Sequence, residues 1–286
     1  MGTAPDDAFS VLGNETRVEI LRVMAERTGR ISEQETLSFS EIYDNVGIGD
    51  SGQFNYHLDK LQDHYIQQTD SGYRLSNTGW EVVWAIRAGT FRDEPEREFD
   101  APGTCYACGD SVLRARVENG WFAVRCGACN VLLTSNPLPP AVFETRTPDE
   151  VISVYDSVVR HRAGLVADRV CLKCCGLMEA TVIEDTLEEW DLEAVPRFTC
   201  AHCEYWYHPP FGLLLVNHPK VKAFFRERGV DLEEPPFWDI PVCVDPSFTT
   251  VRSRDPWRVD VTVTENGEQL RVVFDGNAAV HEIDIN

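Results

Sequence analysis

Residues 105–129 read CYACGDSVLRARVENGWFAVRCGAC and carry the same Cys-x-x-Cys element at both ends. Between the cysteine pairs lie the stretch Val112–Val117, the sequence Glu118-Asn119-Gly120 and the stretch Trp121–Val124. Asn-Gly between two such stretches is typical of a β-hairpin turn. A hairpin would bring the four thiols to one end, and four thiolates in a tetrahedron are a preferred ligand set of Zn²⁺. We therefore predict a zinc ribbon over 105–135, with the ligands Cys105, Cys108, Cys126 and Cys129.

A second set of paired cysteines follows, with twenty-five residues between its two pairs. The intervening loop carries an acidic run at 184–189, which makes this hairpin less regular than the first. Cys175 could replace Cys174 as a ligand, and His202 and His208 are further alternatives. We predict that residues 167–230 hold a second zinc ribbon and a short helix, so the chain would bind two Zn²⁺ ions. The ligands of this second site would be Cys171, Cys174, Cys200 and Cys203.

Four cysteines per site leave no open coordination position, so both sites are predicted to be structural and not catalytic. The chain has 286 residues and ten cysteines, none of them before Cys105. Cys-x-x-Cys pairs indicate metal or redox chemistry in a reducing cytosol. No apolar run reaches the roughly 18 residues of a membrane span, and the sequence MGTAPDDAFS does not resemble a signal peptide. A cytoplasmic protein without membrane association is expected.

The first third of the chain shows helical periodicity. Asn14 is a plausible N-cap, and Leu12, Val18, Leu21 and Met24 share one helical face. Ser38-Phe39-Ser40-Glu41 is a capping box that would begin a second helix. After the turn Gly47-Ile48-Gly49-Asp50, a third helix from about Ser51 would bury Phe54, Leu58 and Leu61.

Two short strands are predicted next, at 65–69 and 73–75, around the turn Asp70-Ser71-Gly72. A last helix would include 80–87. Helix, helix, tight turn, helix, hairpin and helix are the successive elements of a winged helix-turn-helix domain. Residues 1–92 are therefore predicted to bind DNA. The motif GIGDSG at 47–52 matches a dinucleotide-binding pattern, but it follows a helix and not a strand, so we interpret it as the turn.

Two motifs in this region resemble a known family. Leu12-Gly13-Asn14-Glu15-Thr16-Arg17, leading into Val18-Glu19-Ile20-Leu21, resembles the first helix of ArsR-family regulators, as His57-Leu58-Asp59-Lys60-Leu61 resembles their third. The resemblance implies DNA binding and a homodimer, for which the helix Trp80–Ile86 is a candidate surface. Residues 38–46 contain no cysteine, so heavy-metal sensing is not implied.

The third helix would present its polar face to the major groove of double-stranded DNA. Gln and Asn side chains can pair bidentately with adenine, whereas Ser and Lys reach phosphates or base edges. The wing would approach the DNA backbone through Ser71, Gly72 and Arg74. The candidate DNA-binding residues are Ser51, Gln53, Asn55, Tyr56, Lys60 and Arg74.

The charge balance opposes this interpretation. The chain has 47 acidic and 26 basic residues, a formal charge of −21, and by itself this composition favours a protein that avoids nucleic acid. Lysine is scarce, occurring only at Lys60, Lys173, Lys220 and Lys222. An acidic, lysine-poor composition resembles that of proteins from salt-loving archaea, whose cytosol is concentrated KCl.

The remaining segments complete an α+β fold. Residues 93–104 are charged and contain proline and glycine, which is typical of a linker. A connecting region over 136–166 contains a helix that begins at the capping box Thr147-Pro148-Asp149-Glu150. The C-terminal β region, 231–286, would contain a hairpin around Asn266-Gly267. Cys243, outside any pair, is predicted to be a small buried apolar residue.

The predicted function is that of a sequence-specific transcriptional regulator. No nucleophile–base pair, phosphate-binding loop or open metal site is evident, so an enzyme is not expected. A winged helix joined to a zinc ribbon also resembles the archaeal general transcription factor E, which docks on RNA polymerase, so a basal-machinery or adaptor protein is the alternative. A third possibility is an RNA- or protein-binding scaffold that uses the ribbon arginines Arg114, Arg116 and Arg125.

Overall fold

The structure, a computed structural model, describes residues 5–28, 36–92, 96–118, 120–184 and 192–286. These residues form two compact units. The first contains the described residues up to Arg92 together with Pro139–Ala141, and the second contains the remainder. The described chain is mixed α+β, with nine α-helices and four antiparallel sheets. None of its helices, the longest being the 20-residue helix Pro148–Ala167, has an apolar stretch capable of crossing a bilayer.

The first unit is mainly helical, and its caps follow from the sequence. Asn14 accepts a hydrogen bond from the Arg17 backbone N–H, and Ser38 forms the predicted capping box with Glu41. Asp50 accepts from the first backbone N–H groups of the third predicted helix. The elements are α1 (Pro5–Leu12), α2 (Glu15–Arg27), α3 (Phe39–Val46), α4 (Ser51–Gln62), β1 (Ile66–Thr69), β2 (Gly72–Leu75) and α5 (Asn77–Arg87).

The core of this unit is built from one face of each helix. On α4, Phe54, Leu58 and Leu61 are fully buried, as the apolar periodicity predicts. Trp80 of α5 belongs to the same core, whereas Trp84 is 44% exposed. The two tryptophans of α5 therefore have different roles, and only Trp84 remains available for contact with another molecule.

Two glycines hold the backbone of this unit in conformations that other residues resist. Gly47 ends α3 with a φ of +69°, and the motif 47–52 is thereby placed between two helices, as interpreted from the sequence. Gly72 has a φ of +140°, and a Cβ there would lie 2.4 Å from the carbonyl oxygen of Leu37. Leu37 and Tyr73 exchange two backbone hydrogen bonds of 2.8 Å. Gly72 thus permits the close approach that attaches residue 37 to the β1–β2 hairpin.

The second unit contains three antiparallel sheets with the orders β3-β4-β5-β6, β7-β8-β9 and β10-β11-β12-β13. Four helices and three short 3₁₀ turns connect them. The strands are β3 (Arg97–Ala101), β4 (Leu113–Glu118), β5 (Trp121–Cys126), β6 (Leu132–Pro137), β7 (Met178–Ile183), β8 (Val195–Cys200), β9 (Trp206–Tyr207), β10 (Thr249–Arg254), β11 (Trp257–Glu265), β12 (Glu268–Asp275) and β13 (Val280–Ile285). The helices are α6 (Val142–Thr145), α7 (Pro148–Ala167), α8 (Phe211–Leu215) and α9 (Pro219–Glu227), and the 3₁₀ turns are Phe237–Asp239, Pro241–Cys243 and Pro246–Phe248.

The linker predicted over 93–104 is not a linker throughout, because 97–101 form β3 and pair with β4. The prediction of a linker rested on the charged residues of this segment. Glu98 forms ion pairs with Arg114 and Arg116, and Asp100 with Arg114, across the strand pair, so these acids belong to the outer face of a sheet. Phe99 on the other face packs against the core.

The two ribbons do not fold as separate bodies, because one apolar core runs through all three sheets and their helices. Tyr155 of α7 lies near its centre. The ring of Tyr155 is 4.4 Å from that of Phe122 and 5.8 Å from that of Trp238, and its hydroxyl is 2.8 Å from the Thr134 hydroxyl. Helix α7 begins at the predicted capping box of Thr147 and Glu150. The segments expected to follow one another along the chain therefore share a single interior.

The C-terminal region extends the predicted hairpin into four strands. The strands β11 and β12 pair from Arg258↔Asp275 to Glu265↔Glu268 around the predicted turn, and β10 and β13 lie on either side of them. In the first ribbon, β4 and β5 pair as predicted from Leu113↔Cys126 to Glu118↔Trp121. The turn residue Asn119 predicted there lies outside the described residues, as does most of the acidic loop of the second ribbon.

Candidate metal centres and nucleic-acid interface

The first four-cysteine cluster lies at one end of the β4–β5 hairpin. The Sγ atoms of Cys105 and Cys129 are 3.6 Å apart, and those of Cys108 and Cys126 are also 3.6 Å apart. All four sulfur atoms lie within 4.8 Å of one another. Cys105 and Cys126 are buried, while the other two are exposed, so the cluster lies at the edge of the core.

The second cluster repeats this arrangement at the end of β8. The Cys174 Sγ is 3.5 Å from the Cys200 Sγ and 3.4 Å from the Cys203 Sγ, and the Cys171 and Cys203 sulfur atoms are 3.5 Å apart. These four atoms also lie within 4.8 Å of one another. The cluster is complete with cysteines, so neither His202 nor His208 is needed as a ligand.

The sulfur separations fit a tetrahedral metal site and not disulfides. A metal–sulfur bond of about 2.3 Å gives a tetrahedron with sulfur–sulfur edges of about 3.8 Å, close to the separations in both clusters. A disulfide bond would be about 2.05 Å long, and all ten cysteines are free. Both clusters fit zinc-ribbon-like units, and each could hold a metal ion.

Backbone geometry is the same in all four Cys-x-x-Cys turns. In each turn, the N–H of the first cysteine donates to the carbonyl oxygen five residues later, and the N–H four residues later donates to the first cysteine's carbonyl oxygen. The residue at that fourth position has a positive φ in every turn: Gly109 (75°), Asn130 (63°), Cys175 (56°) and Glu204 (59°). Glycine and asparagine adopt this left-handed conformation most readily.

This repeat decides between Cys174 and Cys175. Cys174 occupies the ligand position, and Cys175 occupies the left-handed position that Gly109 holds in the first ribbon. The sequence contained a signal for this assignment, because glycine and asparagine stand at that position in two of the four turns. Cys175 is exposed and belongs to neither cluster.

Backbone N–H groups favour the thiolate form of one cysteine in each cluster. The N–H groups of Cys203 and His202 donate to the Cys200 Sγ and lower the pKa of that thiol to about 6. Burial opposes ionisation of Cys126, but backbone hydrogen bonds from Cys129 and Ala128 outweigh it and lower its pKa to about 7. Metals bind the thiolate, so donors directed at these sulfur atoms favour the binding form.

The assignment of Cys174 can be tested by comparing two neighbouring serine variants. We expect Cys174→Ser to lose one metal ion per chain and Cys175→Ser to lose none, as measured by elemental analysis of the purified proteins. Cys175→Gly should retain both ions and raise stability by up to about 1 kcal/mol, because a side chain in the left-handed region costs roughly 1–2 kcal/mol. Loss of metal from Cys175→Ser would show that the second site uses this thiol.

The candidate DNA-contacting residues of α4 are spread over the exposed side of this helix. Ser51, Gln53, Asn55, Tyr56 and Lys60 are all exposed, and Tyr56 retains 52% of its surface. The opposite face of α4 is buried, including His57, whose pKa is lowered by burial and by the nearby Arg17. Five of the six predicted contacts are therefore exposed on α4, with Gln53 about 160° around the helix axis from Ser51 and Asn55.

Asp59, which the sequence analysis did not single out, lies on the same helix. Its carboxylate accepts hydrogen bonds from the amides of Asn55 (3.1 Å) and Gln62 (3.0 Å). The sixth predicted contact, Arg74, is half-buried on β2 and donates to Gln67 Oε1 at 3.1 Å. Lys60 lies over the Tyr56 ring at 5.9 Å. The exposed side of α4 thus carries one basic residue, Lys60, and one acidic residue, Asp59.

Comparison with known proteins identifies two family regions. Residues 5–86 match the family described as Domain of unknown function (DUF7347). Residues 102–280 match the family described as Domain of unknown function (DUF7351). The curated proteins and the solved structures contain no match to this chain. The second match spans more than half of the sequence, and the chain therefore belongs to the DUF7351 family.

Proposed function

We propose that this protein is a sequence-specific, DNA-binding transcriptional regulator with an N-terminal winged helix-turn-helix domain and two structural zinc sites. The helix α4 would read base edges in the major groove, and the β1–β2 hairpin would be the wing that approaches the backbone. The proposed location is the cytoplasm, where thiols stay reduced and available to metals.

The observation that carries this proposal is the polar face of α4. A tight turn, 47–50, separates α3 from α4, and a two-stranded hairpin follows one short turn later. Six polar residues of α4, including Asp59, are exposed while its apolar residues fill the core. A helix held in this way exposes hydrogen-bonding side chains on a rigid support, which is what base recognition requires.

A homodimer is part of the proposal. The exposed Trp84 of α5 is an apolar residue that a second copy could cover, since regulators of this kind generally bind two half-sites related by a twofold axis. The zinc ions would hold the second unit together without taking part in chemistry, because each complete cysteine tetrad leaves no open coordination position.

Docking on the transcription machinery is the second candidate function, and charge favours it. Residues 1–95 contain sixteen acidic and eight basic residues, a formal charge of −8, and Asp59 adds an acid to the α4 face. An acidic surface is better suited to a basic protein partner than to DNA. An RNA scaffold is favoured less, because Arg114 and Arg116 form ion pairs with Glu98 and Asp100.

One experiment separates the two candidates. Chromatin immunoprecipitation with sequencing from the native host should give a small set of discrete genomic sites if the protein is a regulator. Enrichment that follows RNA polymerase across many promoters, with polymerase recovered in the same precipitate, would instead support the docking function.

Base recognition by α4 can be tested with one double variant. We expect Gln53→Ala with Asn55→Ala to lose base preference at particular positions of the site, with each contact contributing about 1–3 kcal/mol of discrimination. Arg74→Ala should weaken binding to all sequences by a similar factor, because a phosphate contact carries no base information. The measurement is binding to a library of single-base variants of the operator.

The matched control for this experiment is Gln269→Ala, an exposed glutamine of β12 in the second unit. It should leave both affinity and base preference unchanged. If the double variant binds the same site with unaltered affinity and preference, α4 does not read the DNA.

A further inference from the structure

A cavity of about 660 Å³ lies within the second unit, between residues of the two ribbons. Leu132–Pro137, almost all of which belong to β6, form one part of its wall, and Cys203–Pro210, which include β9, form another. Further apolar residues of the lining are Trp121, Leu213, Phe237, Cys243 and Val244. Small-molecule sites in proteins are typically clefts of about 300–1,000 Å³, so this cavity has the size of a ligand site.

Aromatic rings dominate the lining of this cavity. Trp121 and Trp206 both line it, and they remain 43% and 55% exposed. The Trp206 ring lies 4.9 Å from that of His208, and Tyr205 and Tyr207 lie on the same wall. Large apolar surface left open to water is costly, and rings arranged around a cleft favour the stacking of a flat guest.

A buried polar group is positioned in the same wall. Asn136 is 7% exposed, and its Oδ1 accepts a hydrogen bond of 3.0 Å from the Tyr207 hydroxyl. Its Nδ2 donates to the Tyr155 hydroxyl at 3.4 Å. This amide nitrogen carries two hydrogens, and among the described residues one acceptor, the Tyr155 hydroxyl, lies within hydrogen-bond distance of it. Packing and hydrogen bonds thus fix the amide, so it can offer a hydrogen bond to a guest without a loss of side-chain entropy.

The charges around the cavity favour a neutral guest. Among the described lining residues, Lys173 and Glu204 carry opposite formal charges, and Cys203 belongs to the second four-cysteine cluster. Four thiolates around a divalent metal would leave a net negative charge beside the cavity, which favours a neutral guest over an anionic one. Arginine, the usual partner of a phosphate or carboxylate, is absent from the described residues that line the cavity, although Arg162 donates a hydrogen bond to the Pro137 carbonyl oxygen in its wall. Burial raises the pKa of the Cys243 thiol to about 12, so this cysteine is a protonated part of the wall and not a nucleophile. The lining is thus suited to binding and not to chemistry.

We propose that this cavity is a binding site for a neutral, flat aromatic molecule that stacks on Trp206 and Trp121 and accepts a hydrogen bond from Asn136. Such a ligand would contact residues from both ribbons, and its binding would stabilise the second unit. The proposal does not depend on DNA binding, because every residue involved belongs to the second unit.

The test uses the full-length protein and 6-propionyl-2-(dimethylamino)naphthalene, a neutral, flat naphthalene probe with a carbonyl oxygen that can accept a hydrogen bond and with fluorescence that rises in apolar sites. We expect saturable enhancement with one probe per chain and a higher melting temperature of the second unit at saturation. The anionic relative 1-anilinonaphthalene-8-sulfonate should bind at least tenfold more weakly. Trp206→Ala should weaken binding of the neutral probe about tenfold, the loss expected from one buried aromatic contact.

Phe91→Ala is the control, since it removes an exposed aromatic ring from the first unit and should leave probe binding unchanged. Ser135→Phe, which places a ring in the cavity wall, should abolish binding without lowering the melting temperature of the second unit. Non-saturable enhancement, or equal binding by wild type and Trp206→Ala, would overturn the proposal. So would a dimer that Trp206→Ala dissociates without any probe, because a second copy would then cover the cavity.

Discussion

Removal of bound metal is expected to unfold the second unit and leave the first unit folded. Structural Zn²⁺ in four-ligand sites contributes about 10–16 kcal/mol to the folding of small domains, whereas the net stability of a domain is about 5–15 kcal/mol. Two of the four cysteines in each cluster are buried, and all four of these belong to the shared core. Loss of the ions would therefore leave two clusters of unligated cysteines at the edge of the core. The apolar packing of that core would not offset the lost free energy of metal binding.

Hydrogen–deuterium exchange with mass spectrometry can follow both units in the intact chain. After treatment with a chelator, amides of α7 and β11 should lose protection, while amides of α4 should keep theirs, because the first unit has a core of its own. Elemental analysis before chelation should give two zinc ions per chain. Protection of α7 amides that persists after chelation would show that the apolar core alone stabilises this unit. A zinc content of one ion or fewer per chain would show that at least one of the two sites does not bind zinc.

A single substitution should also cause loss of bound metal, without a chelator. Cys105→Ser is expected to release the first ion and also to weaken retention of the second, because the buried cysteines of both clusters lie in one core. Cys175→Ser is the control, since it also removes a thiol but not a ligand. Retention of the second ion with wild-type affinity in Cys105→Ser would show that the two sites are energetically independent.

Local signals account for the parts of the fold that could be predicted. Capping boxes at Ser38 and Thr147 and the cysteine spacings are short-range patterns, and the structure contains the helices and clusters that they predict. Each depends on interactions within a few residues, so a single sequence is sufficient to recognise them.

Long-range pairing was the part that could not be predicted. Three of the five residues of β3 are charged, and charge in the sequence is typical of a linker. In the structure the acids of β3 lie opposite Arg114 and Arg116, and this pairing depends on residues that are distant in sequence. The shared core could not be predicted for the same reason, because Tyr155 meets Phe122 of the first ribbon and Trp238 of the C-terminal region, which are distant from one another in sequence. The cavity lined by Trp121 and Trp206 is likewise formed by segments some eighty residues apart.

Salt should affect DNA binding by this protein in a direction opposite to that seen with basic repressors. Ordinary binders displace cations from DNA, so the logarithm of affinity falls with the logarithm of salt concentration, with a slope of about −0.9 per phosphate neutralised. Several arginines of the first unit already have partners within the protein, which limits their contacts with DNA phosphates. Arg17 donates to His57 and to the Val11 carbonyl oxygen, Arg22 pairs with Glu19, and Arg27 contacts Asn45.

If the first unit binds DNA as proposed, its carboxylates must approach the DNA with K⁺ held between the two negative surfaces. Uptake of cations on binding would offset the usual release, so we expect affinity for a specific site to be flat or to rise between moderate and molar KCl. Asp59→Asn removes an acid from the α4 face while keeping a hydrogen-bonding side chain, and it should make the slope more negative. Glu179→Gln, an exposed acid of β7, is the matched control and should leave the slope unchanged.

Fluorescence anisotropy titrations of a labelled operator across this range of KCl measure the slope directly. A flat or positive slope that Asp59→Asn makes more negative would mean that the acidic surface takes part in the complex and that cations are bound with it. A steep negative slope in the wild type, unchanged by Asp59→Asn, would mean that the carboxylates only solvate the protein and stay clear of the DNA. In that case the few basic residues near α4, chiefly Lys60 and Arg74, would carry the whole electrostatic contribution to binding.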